Sequence, residues 1–293
     1  MRIKKVKIGT QALSLNELLF PVKIMDNPRR TNSEYSKVVV GTLNDGEIDL
    51  NYCSQRYELV PNSEIFPEIE RVLNDNGVQY SVQYSHLNFA RFYVDYRITD
   101  NRYAYNMKNS NGNDTIEPML RVQHSYNGLT KYKITFGYFR LVCTNGLVIP
   151  IQEMNKFNLS IIGKHTDAIK HSFQKLDVML KVFVNDAKQI TEAITSKFEL
   201  LGGHMVVNVE DRITEVMNAS GIIAVENKGF NSIEDIKTRV FSEAYLYNGK
   251  INDWLIYNGI NQYLNDDSRN IAAPEKRQET DLKVLEFMLE TVN

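Results

Sequence analysis

Apolar and polar positions along the chain fall into two periods, and each marks a kind of element. Val38 to Leu43 is a β-branched, apolar run, Asn44-Asp-Gly46 is a turn signal, and Ile48 to Tyr52 return as its hairpin partner. Ile65, Ile69 and Leu73 stand four apart on one face of a short helix that opens at Pro61 and stops at Asn76-Gly77. From Val78 to Ile98 the spacing becomes two. Val78, Tyr80, Val82 and Tyr84 alternate with polar residues, and Phe92, Val94, Tyr96 and Ile98 do so again, which predicts paired antiparallel strands. Asn106 to Asp114 is polar and reads as a loop. Two further strands, Met119 to His124 and Tyr132 to Phe139, flank a turn whose Asn127-Gly128 pair is the strongest short hairpin signal.

The period then lengthens. Ile169, Phe173, Leu176, Leu180, Phe183, Ala187, Ile190 and Ile194 repeat at alternating spacings of four and three, so a long amphipathic helix is expected. Its seam either covers the sheet of the same chain or pairs with a second copy. Leu201-Gly-Gly203 closes it. Shorter helical patterns follow at Glu210 to Met217, Ser232 to Tyr245, Asn252 to Leu264 around the only tryptophan, Trp254, and Glu279 to Leu289. The expected class is α+β: a curved antiparallel sheet of hairpins and a meander, covered by one long amphipathic helix, with a mostly helical C-terminal region. The polar stretch Asp26 to Glu34, carrying Arg29 and Arg30, reads as mobile. The domain expectation is therefore a flexible arm over 1–34, an α+β core over 35–200 and a helical region over 201–293.

Composition narrows the class without naming an activity. A chain of 293 residues, 43% hydrophobic and 24% charged, is ordinary globular material. No run approaches the roughly 18 apolar residues of a membrane span, and the basic start lacks a signal peptide's apolar stretch, so a cytoplasmic protein with no membrane partner is expected. The net charge of −2 hides an asymmetry: residues 1–200 carry 25 Lys and Arg against 21 Asp and Glu, whereas 201–293 carry 9 against 15. The basic front permits a nucleic-acid partner.

Candidate chemistry is sparse. Cys53 and Cys143 form no Cys-x-x-Cys unit, which argues against a disulfide framework or a structural zinc. No Gly-rich phosphate loop occurs, and the five histidines make no metal-spaced pair, so neither cofactor nor metal is expected. Cys143 with His124 is the one arguable nucleophile and base, but a thiol between Val142 and Thr144 reads as packed core, so no catalytic residue is assigned. What stands out is basic residues interleaved with aromatics. On a strand Arg91, Tyr93, Asp95 and Arg97 share one face and Phe92, Val94 and Tyr96 the other. Lys131 and Lys133 bracket Tyr132, and Arg140 leaves the same strand. These make a candidate nucleic-acid surface: Arg91, Arg97, Lys131, Lys133 and Arg140 on phosphates, Tyr93 stacking on bases, and Lys164 and Lys170 along the helix side. An ordinary solvent-exposed sheet face has the same pattern.

Three stretches resemble the core motifs of a family of phage/plasmid-like proteins, a domain of unknown function: Pro118 to Gly128, Phe136-Gly-Tyr-Phe-Arg-Leu-Val-Cys-Thr-Asn-Gly-Leu147, and Gly163 to Thr166. Gln55 to Asn62 and Trp254 to Asn258 are similar to its flanking elements, so the resemblance spans about Val38 to Leu264. This chain has His124-Ser-Tyr-Asn-Gly where members often carry Asp-Gly after Ser-His, so no role carries over to His124. Asn127, Gly128, Asn145 and Gly146 are the turns of the motif. The resemblance implies a bacteriophage origin and no particular reaction. The order of short helix, curved meander and long helix is similar to the core of the single-strand annealing recombinases, with Phe92 to Arg97 resembling their central strand. The functional expectation is a phage protein that binds and anneals single-stranded DNA without ATP, as a homo-oligomer. The alternative is a structural or protein-interaction component of a phage, for which the heptad seam and the acidic C-terminal region speak.

Overall fold

The computed structural model describes residues 11–30, 34–44, 46–87, 90–112, 114–140, 146–147, 160–163, 167–227, 230–266 and 274–292. The first half of the chain supplies β1 (Gln11–Leu13), α1 (Leu15–Leu18), β2 (Val22–Asp26), β3 (Lys37–Leu43), β4 (Gly46–Cys53), α2 (Asn62–Asp75), β5 (Tyr80–Leu87), β6 (Arg91–Ile98), β7 (Tyr105–Asn106), β8 (Thr115–Ser125) and β9 (Tyr132–Arg140). The second half supplies β10 (Gly146–Leu147), β11 (Ser160–Gly163), α3 (Asp167–Gly203), α4 (Val209–Ala219), β12 (Glu226–Asn227), β13 (Phe230–Asn231), α5 (Ser232–Ser242), α6 (Asp253–Leu264) and α7 (Pro274–Val292). The α+β class is as expected.

The residues group into two compact units. One takes in the described residues of Met1–Asp100, Met119–Phe136 and Gln152–Asn185; the other those of Asn101–Pro118, Gly137–Ile151 and Asp186–Asn293. Strands β8 and β9 and helix α3 each give a segment to both. The helix is interrupted at Asp186 (φ −111°, ψ 16°), beside Asn185, where short polar side chains compete for backbone hydrogen bonds.

In the first unit the meander runs β1-β5-β6-β8-β9, with β11 antiparallel to β9, and a separate sheet runs β2-β3-β4. The register sets Tyr96 between Val82 and Leu120, and Val94 opposite Val122, so the even-numbered apolar residues of β6 and β8 meet on one face. Phe92, Val94, Tyr96, Ile98, Leu120, Val122, Ile134 and Phe136 are all buried there. Phe183 of α3 lies against Phe136 with ring centroids 4.9 Å apart, and Ser172 Oγ donates to the Tyr132 hydroxyl at 3.1 Å. Leu176, Leu180 and Phe183 are likewise buried, so in this unit the heptad seam covers the chain's own sheet.

The described residues of the N-terminal stretch carry β1, α1 and β2. A capping box holds α1: Ser14 N donates to Glu17 Oε2 at 2.7 Å and Glu17 N to Ser14 Oγ at 3.4 Å. Leu18 and Phe20 are buried, and β2 pairs with β3 from Val22 to Asp26. Phe20 packs so closely on β3 that a Cβ at Gly41 would stand 2.7 Å from its Cε2.

In the second unit α6 is the central rod, buried continuously from Asp253 to Asn261, which a helix does only when it is enclosed on all sides. Asparagines start the helices around it: Asn208 caps α4, Asn231 caps α5 and Asn252 caps α6. A 3₁₀ turn at Ala244–Tyr247 follows α5 and stops at Asn248 and Gly249, both left-handed (φ 55° and 78°). The buried Asp253 carboxylate, in the first turn of α6, accepts from Arg212 Nε and a terminal nitrogen at 2.9 and 2.8 Å and from His204 Nδ1 at 2.8 Å. Among the described residues no helix is long and apolar enough to cross a membrane.

Candidate functional site

Strand alternation gives the first unit's meander two unlike faces. Opposite the apolar face stand Arg91, Tyr93, Asp95 and Arg97 of β6, Met119, Arg121, Gln123 and Ser125 of β8, and Lys133 and Thr135 of β9. His124 and Tyr132, with rings 6.2 Å apart, mark the other face, which places Lys133 here. These strands thus present Arg91, Arg97, Arg121 and Lys133 against two carboxylates, Asp95 and, by the same alternation along β8, Glu117. Asp95 lies directly opposite Arg121 and is engaged by it in a two-pronged pair at 2.6 and 2.6 Å. Arg91 Nε donates to Thr130 Oγ1 at 2.8 Å, and its terminal nitrogen to the Tyr93 hydroxyl at 3.3 Å. Lys133 is half-buried, and burial pulls its ammonium below the ordinary lysine range. Among the described residues no carboxylate is paired with it.

Arg140 takes a different place. Along β9 it shares parity with Tyr132, Ile134, Phe136 and Tyr138, and like them it is buried, with no exposed surface at all. Within the second unit its guanidinium donates Nε and a terminal nitrogen to Asp114 at 2.6 and 2.8 Å, and its other terminal nitrogen to Glu243. Asp114 also accepts from the Tyr247 hydroxyl at 2.8 Å and the Trp254 indole Nε1 at 2.9 Å. Gln262 Nε2 donates to the second oxygen of Glu243 at 2.7 Å, and the guanidinium carbon sits 5.6 Å from the centre of the Trp254 ring. Burial, reinforced by the Asp114 charge, drives the Tyr247 hydroxyl far above the ordinary tyrosine range. A buried arginine needs this degree of compensation, because its desolvation costs several kcal/mol before any pairing.

The structure therefore sorts the expected nucleic-acid residues. Arg91, Arg97 and Lys133 share the polar face as read, and Lys131 is exposed in the β8–β9 connection. Tyr93 lies on that face but is only 5% exposed, too enclosed to offer an open ring to a base. Arg140 does not belong to the surface: it is the centre of a buried knot. Lys164 and Asn145 lie outside the described residues, and of Lys170 and Gly146 only the backbone is described, in α3 and β10. Gly128 is left-handed (φ 70°) in the β8–β9 turn, and Asn127 Oδ1 accepts from Leu129 N at 3.1 Å, as the Asn-Gly signal implies. Cys143 lies outside the described residues, and Cys53 is a buried thiol. Sequence reading missed Asp114 and Glu243. Parity along β9 was the available signal for Arg140, and a charge in register with four core aromatics and aliphatics calls for buried partners.

The chain belongs to the family described as the domain of unknown function DUF932, whose model matches residues 49–198. That span runs from β4 into α3 and includes the polar face, Asp114 and Arg140. No curated protein and no solved structure shows a significant match to the chain.

Proposed function

We propose that the chain is a phage-encoded protein of the host cytoplasm that binds single-stranded DNA and promotes its annealing without ATP, assembling as a homo-oligomer. The observation that carries this reading is the cationic excess on the polar sheet face, four cationic side chains to two carboxylates, with Lys131 exposed beside it. A partly enclosed surface of that charge favours a polyanion, because low local dielectric strengthens each contact. The motif resemblance to phage/plasmid-like proteins supports the origin. The meander crossed by a long helix supports the annealing class by analogy. Phosphate contacts fall to Arg91, Arg97, Lys131 and Lys133; Arg140 and the Tyr93 ring are too enclosed to take part.

Fluorescence anisotropy of a labelled 40-mer against the matching duplex tests it. About four phosphate contacts on a single strand give a salt slope near −3, so affinity should drop roughly 50-fold between 50 and 200 mM salt. Failure to bind either form at 50 mM ends this reading. A protein-binding role is the second reading, favoured by Phe241 and Tyr245, four apart and 54% and 59% exposed in the second unit.

A further inference from the structure

Strand β2 forms one edge of the β2-β3-β4 sheet and, among the described residues, pairs with no strand but β3. The register divides its backbone groups. Asn27 N donates to Ser36 O at 2.8 Å and Thr42 N to Pro21 O at 2.8 Å, so the odd-numbered positions turn their N–H and C=O toward β3. Val22, Ile24 and Asp26 therefore turn theirs to the open edge. Lys23 to Asp26 are exposed along their whole run, Ile24 at 36% and Met25 at 42%, which leaves that edge accessible to a further strand. At the opposite edge β4 is held to the meander, where Asn51 Nδ2 donates to the Tyr126 carbonyl oxygen at 3.0 Å.

Sheet edges are ordinarily guarded by an outward charge, a proline or a bulge. Here both charges of β2 are drawn inward. Lys23 Nζ reaches across β3 to Glu47 Oε1 of β4 at 2.7 Å, and Asp26 Oδ1 accepts from Lys37 Nζ of β3 at 2.6 Å. Pro21 and Pro28 lie outside the strand, and the irregularity in this sheet falls between β3 and β4.

We infer that β2 is a self-association edge, pairing antiparallel with β2 of a second copy about a two-fold axis at Ile24 and joining the two sheets into one. With the axis there, every outward position faces an outward position, Val22 against Asp26 and Ile24 against Ile24 of the second copy, and each pair exchanges N–H and C=O. A slip of one residue sets outward groups against inward ones. A slip of two sets Lys23 against Lys23 of the second copy in one direction, and Val22 against Pro28, which has no N–H, in the other. At the Ile24 register no like charges are opposed: Lys23 faces Met25 and Asp26 faces Val22. Ile24 meets its own copy as a β-branched pair, and the stem of Lys23 lies along Met25. An unrelated strand would use the same backbone groups but gain nothing from this symmetry, so the second copy is the occupant. The inference rests on the homo-oligomer of the proposed function and gives it an interface. Five residues alone bury less than a permanent dimer needs, so the pairing depends on concentration.

Sedimentation velocity of the full chain over a dilution series tests it. The wild type should move toward twice the chain mass as its concentration rises. Ile24→Pro removes an N–H that the β2–β3 ladder does not use, so this variant should melt close to the wild type while its self-association weakens roughly tenfold or more. Ile24→Lys and Ile24→Glu keep the test open should the proline protein fail to fold. Each alone sets like charges together at the axis and should stay monomeric, whereas an equimolar mixture of the two should assemble again. If the wild type assembles and the Ile24 variants assemble equally well, the β2 edge is overturned while the homo-oligomer reading stands. If both charge variants are monomeric and their mixture stays so, the axis is not at Ile24 and the pairing is overturned. A wild type that remains monomeric at every concentration overturns the edge and the homo-oligomer together.

Discussion

The indole Nε1 of Trp254 donates to Oδ2 of Asp114 at 2.9 Å, joining the end of a polar loop to the central helix of the second unit. The same carboxylate takes two bonds from Arg140 and one from Tyr247, so the chain's only tryptophan reports on the knot. Arg140→Met leaves Asp114 and Glu243 buried without their cation. The expected cost is about 3–5 kcal/mol, the usual penalty for breaking a buried pair from one side. Urea unfolding followed by Trp254 emission measures it. A loss under about 1 kcal/mol would mean that Arg140 is not the centre of this cluster.

Asp281 of α7 is buried, accepting from Asn261 Nδ2 at 2.9 Å and from the Tyr257 hydroxyl at 3.1 Å. Burial pushes its carboxyl up to about 6, and the two hydrogen bonds offset that only in part. Between about pH 4 and 6 the folded protein holds a proton that the unfolded chain has released, so stability falls as pH rises through this window. The full cost above it is on the order of 3 kcal/mol. Asp281→Asn keeps an oxygen for Asn261 and removes the charge. The variant should be more stable than wild type at pH 7, with the difference shrinking toward pH 4, in urea titrations across that range. Parallel pH profiles for the two proteins would refute the assignment.

Gly259 is where α6 passes α5 most closely. A Cβ there would lie 2.7 Å from Cγ2 of the buried Val240 and 3.4 Å from the Ile236 carbonyl oxygen. Gly259→Ala should therefore destabilise by about 1–3 kcal/mol despite the better helix propensity of alanine. Val240→Ala in the same chain should restore much of the loss, since the new methyl fills the space the valine gives up. Equal or additive losses in thermal melts of the single and double variants would show that the contact is not limiting.

Much of the fold was legible because period and turn chemistry agreed. The hairpin at Asn44 to Gly46, the helix after Pro61, the alternation from Tyr80 to Ile98, the Asn127-Gly128 turn and the heptads of α3 all appear where the pattern put them. Strand β8 begins four residues before the expected start, because burial from Ile116 to Leu120 is continuous and hides the alternation. The small β12–β13 hairpin carried no pattern long enough to read. The sharing of β8, β9 and α3 between the two units' residue sets leaves no break in composition to read. At the site, parity along β6 placed Arg91, Tyr93 and Arg97 together, but how deeply Tyr93 sits depends on residues far away in sequence. Arg140 was misread for a simpler reason: its proximity to Lys131 and Lys133 in sequence outweighed its register with Tyr138.

The central claim, that the polar sheet face holds phosphates of a single strand, is tested most directly by the salt dependence of 40-mer binding in wild type and in a Lys131→Gln, Lys133→Gln double variant. Two fewer phosphate contacts should make the slope of log affinity against log salt shallower by about 1.4 and weaken binding most at low salt. Identical slopes for the two proteins would place the phosphate contacts elsewhere and contradict the account.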